Sequence, residues 1–378
     1  MRACLRSAFL LVLVTTLLGW AACAPVRKEV KPDRARIAKR RKAIEAFNSG
    51  VELLRGRKAD YFKAVEFFEE AVRLRPDFYE AHFNLGLLFA RGNDFARSVG
   101  AYRAALRAKP GDRAASFNLA DVWAKQGKFE QAIGILEDIV DENPSDFEAR
   151  NNLAVLFRKQ GELDKAKAQA TYVLDHDPKQ VLAYNNLATI FSEQSQHEMA
   201  QDLFRRALAL EPDNSRVLNN EALALLKGKR VQEALELLQK AYDKNKKTPE
   251  AGLNAASIYM DNGDYSRAAK VYERVAQHIP GFLPALVGHA VATRGMGRYV
   301  KAESSYRQIL GLDHTNPAAL FNLGILYMKY REKPAWACEA FGRYLNSGRT
   351  TPALAKRARG FIEDIKLSNP KACKEAGK

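Results

Sequence analysis

Asparagine is the residue with the most regular spacing along this chain. It stands at eight positions, most of them 34 residues apart, and Gly288 fills the single gap: Asn48, Asn84, Asn118, Asn152, Asn186, Asn220, Asn254 and Asn322. An amide side chain carries both a donor and an acceptor, so it can pair with the backbone of an extended peptide without reading its sequence. If the segments that carry them stack, we expect these amides to form a peptide-binding row. The alternative is that each amide bonds to the neighbouring segment.

Side chains that usually perform catalysis are dispersed. The six histidines lie in separate segments, at positions 82, 176, 197, 278, 289 and 314. His289 takes a position that leucine holds in other segments, which favours a core histidine over a ligand. The sequence also lacks a Walker-type phosphate loop and clustered metal-ligand spacing. We therefore predict a protein that is not an enzyme, with no cofactor and no metal site.

Cys23 follows a segment typical of secretion. Arg2 and Arg6 precede an apolar run over residues 8–18, and two alanines stand directly before the cysteine. This is the layout of a signal peptide, and it resembles the lipobox of bacterial lipoproteins. That resemblance implies removal of residues 1–22, a lipid on Cys23 and, because Ala24 follows, an outer-membrane position facing the periplasm. The alternatives are a soluble periplasmic protein, or an inner-membrane anchor such as an uncleaved span over residues 7–26.

The net charge of +16 is concentrated near this terminus, in the stretch RKEVKPDRARIAKRRK at residues 27–42. Basic residues favour the cytoplasmic side of a membrane, which argues against an uncleaved span with a periplasmic body. The stretch is either a solvated spacer or a segment attracted to anionic lipid headgroups. Secretion and the lack of basic–aromatic clusters argue against a nucleic-acid partner.

The rest of the chain is one unit repeated. Prolines stand at 76, 110, 144, 178, 212 and 280, and a small residue recurs on the same period at 64, 98, 132, 166, 200, 234, 268 and 302. In the second copy Leu85 and Phe89 share a helix face, Gly86 and Ser98 permit close helix packing, and Pro110 ends the second helix. We count nine copies, starting near residues 43, 79, 113, 147, 181, 215, 249, 283 and 317.

This pattern resembles the tetratricopeptide repeat (TPR). The resemblance implies an all-α, right-handed superhelical solenoid of about nine helix-turn-helix repeats, with the first helix of each repeat on a concave face. We expect a signal peptide at 1–22, a lipidated basic linker at 23–42, the solenoid at 43–350, and a capping helix with a loose tail at 351–378. Phenylalanines at 47, 83, 117 and 321 would add apolar contacts to the groove, and basic residues at 91, 125, 159, 227 and 329 a positive rim.

The expected function is a protein-binding scaffold anchored to the bacterial envelope. The plan of the chain is similar to pilotin-like lipoproteins that assist type IV pilus secretins, and to repeat lipoproteins of gliding-motility complexes. We expect partner proteins or extended segments of such a complex in the groove. An adaptor for periplasmic proteases or cell-wall enzymes is the alternative.

Two further features interrupt the pattern. Glu221 stands where other copies have leucine, and a buried carboxylate is costly unless it is paired. We expect either a nearby basic partner or a weak joint between repeats. Cys338 and Cys373 would form a disulfide in an oxidising compartment, or remain buried free thiols.

Overall fold

The computed structural model describes residues 34–55 and 59–375, and helices account for most of them. Within these residues there are twenty helices and no strand: α1 (Arg34–Arg55), α2 (Tyr61–Leu74), α3 (Tyr79–Arg91), α4 (Phe95–Ala108), α5 (Arg113–Lys125), α6 (Phe129–Glu142), α7 (Phe147–Gln160), α8 (Leu163–His176), α9 (Val181–Glu193), α10 (His197–Leu210), α11 (Ser215–Lys227), α12 (Val231–Lys244), α13 (Glu250–Asp261), α14 (Tyr265–His278), α15 (Leu283–Gly295), α16 (Tyr299–Leu312), α17 (Pro317–Lys329), α18 (Pro334–Leu345), α19 (Pro352–Ser368) and α20 (Ala372–Glu375). Cys23, the predicted signal peptide and the linker before residue 34 lie outside the described residues.

These helices belong to two compact units, with α1–α4 in the first and α5–α20 in the second. Consecutive helices pair as hairpins, and within each unit the hairpins pack side by side. Nine hairpins run from α1–α2 to α17–α18, which confirms the predicted all-α repeat architecture. The helices α3, α5, α7, α9, α11, α15 and α17 each begin at the predicted start of a copy, and α13 begins one residue later.

Small residues let the two helices of a hairpin approach closely, as the sequence predicts. A Cβ atom on Gly86 would lie only 2.6 Å from the Tyr102 ring, so that position must be glycine for the ring to be buried there. Ser98 is fully buried, and its hydroxyl donates to the Gly86 carbonyl at 2.8 Å. Gly324 admits the Phe341 ring in the same way in the ninth hairpin.

The first helix begins earlier than the repeat pattern predicts. Residues 34–42, assigned from sequence to a linker, are the first turns of α1. This stretch contains neither glycine nor proline, and its arginine, lysine and alanine residues favour helix. The helix therefore continues outward beyond the core residues Ala43 and Ala46.

The C-terminal end of the second unit is closed by α19. Ala358 and Ile365 are buried, and the Phe361 ring lies 5.4 Å from the ring of Phe341. The tail differs from expectation, because Ala372 is buried in α20 and Cys373 is joined to Cys338 in a disulfide with the Cα atoms 5.4 Å apart. The tail is therefore packed, at least through Cys373.

Candidate functional site

The asparagines of the middle repeats bond from one repeat to the next. Asn186 Nδ2 donates to the Asn151 carbonyl at 3.1 Å, and Asn220 Nδ2 donates to Asn185 Oδ1 at 2.9 Å. Asn254 Nδ2 donates to Asn219 Oδ1, also at 2.9 Å. We call these six residues the asparagine network. They connect α7, α9, α11 and α13, the first helices of four successive hairpins.

Half of this network belongs to a second row that the sequence analysis missed. Asn151, Asn185 and Asn219 each stand one residue before a member of the predicted row. The signal was present as Asn-Asn pairs at 151–152, 185–186 and 219–220, spaced by the repeat period. The predicted row and the missed row interlock, so the amides do not form a single free-standing ladder.

The remaining predicted asparagines behave differently. Asn118 and Asn322 each donate to a carbonyl one turn earlier in their own helix, at 2.8 and 2.9 Å, and Asn322 also accepts from Arg294. Asn152 is exposed and lines a small cleft of about 170 Å³ with Phe117 and Lys159. In the first unit, Asn48 is exposed and Asn84 is half-buried. A binding role for any of the eight remains a prediction.

The gap at Gly288 has a steric cause. A Cβ atom there would lie 2.4 Å from the ring of Tyr272, on α14. The ring occupies the space that an asparagine side chain would need. The row of amides is thus interrupted on α15 because an aromatic residue of the preceding hairpin fills its place.

A cleft of about 940 Å³ lies beside the asparagine network. Its walls come from the first helices α7, α9, α11 and α13, from the end of α12, and from the turns that precede α11 and α13. The network residues that line it are Asn185, Asn186, Asn219 and Asn220. Leu182 and Val155 add apolar surface, and Leu182 is 37% exposed.

The network leaves hydrogen-bonding capacity on residues that line this cleft. An asparagine offers two N–H donors and one oxygen acceptor. Asn185 and Asn186 are 4% and 8% exposed. Among the described residues, neither Asn185 Nδ2 nor Asn186 Oδ1 has a hydrogen-bond partner, and both atoms keep a small contact with solvent. Adjacent asparagines on α9 therefore present one free donor and one free acceptor, the pair that a peptide unit of an extended chain requires.

Charges around the cleft are balanced. Arg158 pairs with Glu193 at 2.5 Å and Lys244 pairs with Asp213 at 2.7 Å. Arg216 is opposed by Glu211 and Glu250 on the same walls. The cations predicted to form a rim do not line this cleft, although Lys159 lines the smaller one. Charge therefore gives little selection for an acidic or a basic ligand here.

The predicted aromatic contacts are mostly part of the core. Phe321 is 6% exposed and packs against Phe341 and Tyr344. Phe47 packs between Phe68 and Phe78, with ring centres 5.5 and 5.1 Å away. Phe117 differs from these two, because it lines the small cleft beside Asn152.

Burial shifts the pKa values of Glu221 and His289, the two titratable residues that stand at leucine positions of the repeat. Burial raises the pKa of Glu221, and Arg205, Arg230 and Lys240 only partly offset it. Burial lowers the pKa of His289, which agrees with a half-buried core histidine. Within the described residues, histidine, cysteine and carboxylate side chains nowhere form a group that could hold a metal ion. No helix in that part of the chain combines the length and apolar character needed to cross a membrane.

Family models agree with this architecture. One tetratricopeptide-repeat model matches residues 53–113, 88–147 and 185–251, and a second matches 124–190 and 225–287. Together the matches run without a break from residue 53 to residue 287, which is more than half of the chain. The chain belongs to the tetratricopeptide-repeat family. Proteins built from these repeats generally mediate protein–protein interactions, and no enzyme family is indicated.

Several solved structures are similar to the chain. YrrB, described as a TPR protein with an unusual peptide-binding site, is 22% identical over 49% of this chain and 96% of its own, with a TM-score of 0.40. Pseudomonas aeruginosa pilF is 24% identical over 58% and 96%, with a TM-score of 0.41. Yeast Tom70 is 16% identical over 90% and 100%, with a TM-score of 0.40. No curated protein matches the chain.

Proposed function

We propose that this TPR protein is a non-enzymatic scaffold that holds an extended segment of a partner in the cleft beside the asparagine network. The observation that carries the proposal is the free donor on Asn185 next to the free acceptor on Asn186. A backbone that pairs with these two groups would be held through its peptide units. Because the charges of the cleft balance, recognition would depend on extended conformation more than on the charge of the partner.

The proposed setting is the bacterial outer membrane, with a lipid on Cys23 and the repeats facing the periplasm. Support comes from the basic, apolar and small-residue order of residues 1–22 before the cysteine. In that position the scaffold would help assemble an envelope machine of the motility or pilus type. Fractionation of cells that express wild type or Cys23→Ser tests this setting. The membranes are washed with high salt, which screens the attraction of basic residues to anionic headgroups. Release of only the Cys23→Ser protein by this wash supports the anchor, and equal retention of both contradicts it.

Leu182 and Leu210 provide a matched pair for testing the cleft. Leu182 lines it, whereas Leu210 is 41% exposed at the end of α10 and is not part of it. Leu182→Arg places a long cation in the cleft without removing an asparagine hydrogen bond. Leu210→Arg makes the same chemical change elsewhere. Each variant is cross-linked in cells of the native host, purified through a tag and analysed by mass spectrometry for co-purified proteins.

We expect Leu182→Arg to lose most of the cross-linked partners that wild type and Leu210→Arg retain. Recovery of the same partners with Leu182→Arg would show that binding uses another surface. Combined replacement of Asn186 and Asn220 by alanine, with Asn254→Ala as control, then tests the amides. Asn254 makes the same kind of inter-repeat hydrogen bond but does not line the cleft.

An adaptor for periplasmic proteases or cell-wall enzymes is the alternative partner class. The same experiment separates the two, because hydrolases would then dominate the recovered proteins. Components of a secretin or motility complex would instead support the assembly role.

A further inference from the structure

The N-terminal extension of α1 forms one wall of a cationic cleft. α1 has 22 residues, whereas α3 has 13. At 1.5 Å per residue the difference corresponds to about 14 Å of additional helix. This extension overhangs the turn between α2 and α3, and the open cleft between them has a volume of about 280 Å³.

The extension carries cations where a repeat helix would carry core residues. Ala43, Ala46 and Gly50 form the buried stripe of α1. Arg40, Lys39 and Arg36 lie three, four and seven residues before Ala43. Residues at these spacings share a helix face, so the three cations continue the stripe toward the start of the helix. All three line the cleft. The extension therefore buries no apolar side chain and instead directs charge over the turn.

A fourth cation comes from the opposite wall. Arg75 follows α2, its guanidinium lies 4.6 Å from the centre of the Phe78 ring, and its Nε donates to Asp77 Oδ1 at 3.2 Å. Asp77 is the one acidic residue among the described residues that line the cleft. With the residues that the structure describes, Arg36, Lys39 and Arg40 form no ion pair. The cleft thus carries an excess of three positive charges.

The cations that line the cleft suit an anion that offers several oxygen atoms. An anion bound in the cleft would offset the charges of these side chains. Arginine presents a planar set of donors that matches the oxygen atoms of phosphate.

The surroundings of the cleft favour a membrane phosphate over a soluble one. Ile37 and Ile44, seven residues apart on one face of α1, are 53% and 46% exposed. Cations beside exposed apolar side chains are typical of helices that lie in the membrane interface. The volume suits a single headgroup and is below the range typical of larger ligands.

We propose that the cleft of Arg36, Lys39, Arg40 and Arg75 binds the phosphate group of an anionic phospholipid and so holds the first hairpin against the membrane surface. This contact is separate from the asparagine network. It also does not depend on a lipid at Cys23, so a Cys23→Ser protein should retain it.

The reactivity of Lys39 toward an amine-acylating reagent reports on the cleft in the full-length chain. Labelling is measured by mass spectrometry with phosphatidylglycerol vesicles and with phosphatidylcholine vesicles, and exposed Lys356 on α19 serves as the internal reference. We expect phosphatidylglycerol alone to protect Lys39 several-fold. In Arg36→Gln/Arg40→Gln the vesicle concentration for half-protection should rise roughly 30-fold, since each basic residue near the surface contributes about 1 kcal/mol.

Arg359→Gln/Lys366→Gln carries the same charge change at exposed positions of α19, keeps the reference Lys356, and should leave protection of Lys39 unchanged. Circular dichroism verifies that both variants are folded. Equal labelling of Lys39 on the two kinds of vesicle would overturn the proposal, as would undiminished protection in Arg36→Gln/Arg40→Gln. Protection of the same size by inorganic phosphate or by polyglutamate, without vesicles, would assign the cleft to a soluble phosphate or an acidic peptide and would also overturn it.

Discussion

Glu221 and Gly288 depart from the repeat pattern for opposite reasons. Glu221 occupies a leucine position and is half-buried, so its environment favours the protonated form and raises its pKa. Gly288 occupies an asparagine position because Tyr272 leaves no room for a side chain. One residue is tolerated at a cost, and the other is required by its neighbour.

Replacement of Glu221 by glutamine should stabilise the protein in a pH-dependent way. Because the pKa is raised in the folded state, the folded chain holds the proton more tightly than the unfolded chain does. The cost of the carboxylate is therefore absent below pH 4.5, the ordinary pKa of glutamate, and grows as pH rises. We expect Glu221→Gln to gain about 1 kcal/mol at neutral pH and nothing in acid.

Thermal unfolding at the two pH values measures this, with exposed Glu198→Gln as the charge-matched control. Equal melting temperatures of Glu221→Gln and wild type at neutral pH would show that nearby cations fully offset burial. That result would contradict the hypothesis that Glu221 weakens the joint between repeats.

Restoring asparagine at position 288 should destabilise the protein, although it completes the repeated row. Gly288→Asn forces a side chain against the Tyr272 ring, and overpacking of this kind costs about 1–3 kcal/mol. A Cβ atom on Gly134 in α6 would meet no neighbouring side chain within 4 Å, so Gly134→Asn is the matched control and should cause no loss. Thermal unfolding compares the two. A stable Gly288→Asn protein would mean that the ring can move aside.

At the scale of single residues, position in the repeat was predictable and bonding partners were not. The period located Asn186 and Asn220 on the first helices, as the structure has them. It could not show that their amides bond to Asn151 and Asn185, because this depends on the offset between neighbouring helices. Likewise, the place of the phenylalanines one residue before the asparagines predicted contacts in the groove, whereas packing takes Phe321 into the core.

At the scale of helices, the period predicted most helix starts and failed at the two ends. A repeat constrains a helix through the neighbour that buries its face. The repeat pattern supplies no neighbouring helix for the first turns of α1, so these turns are helical because of their amino-acid composition. At the other end, the packing of α20 depends on Cys373 meeting Cys338, a distance that sequence spacing does not contain.

The disulfide between Cys338 and Cys373 should stabilise the capping region. Closing a loop of this size typically contributes about 2–4 kcal/mol. Digestion of the non-reduced protein should release one cross-linked peptide that contains both cysteines, and reduction should lower the melting temperature. Cys373→Ser should melt like the reduced protein, while buried Cys338 remains in place. Alkylation of both thiols in the denatured, non-reduced protein would contradict the pairing.

At the scale of the molecule, the repeats of the second unit interact mainly with their sequence neighbours. The asparagine network follows this rule, since each amide reaches only the preceding hairpin. Stability in such an array is close to a sum over repeats and interfaces. Removal of one whole repeat in register should therefore leave a folded chain.

Deletion of residues 181–214, which removes α9 and α10, should separate folding from binding. It places Asn220 where Asn186 stood, so Asn220 Nδ2 would meet Asn151 and the stack would close. Asn219 would likewise take the place of Asn185, but Asn219 Nδ2 donates to Asn220 Oδ1 at 3.3 Å. The free donor and acceptor that Asn185 and Asn186 present would therefore be lost. Deletion of residues 283–316, which removes α15 and α16, is the length-matched control and leaves the cleft in place. Circular dichroism should give the same helicity per residue for both, and only the control should retain cross-linked partners. Binding by both deletion proteins would place the partner site outside the cleft. If only the protein that lacks residues 181–214 failed to fold, the asparagine network would be a structural core instead of a binding surface.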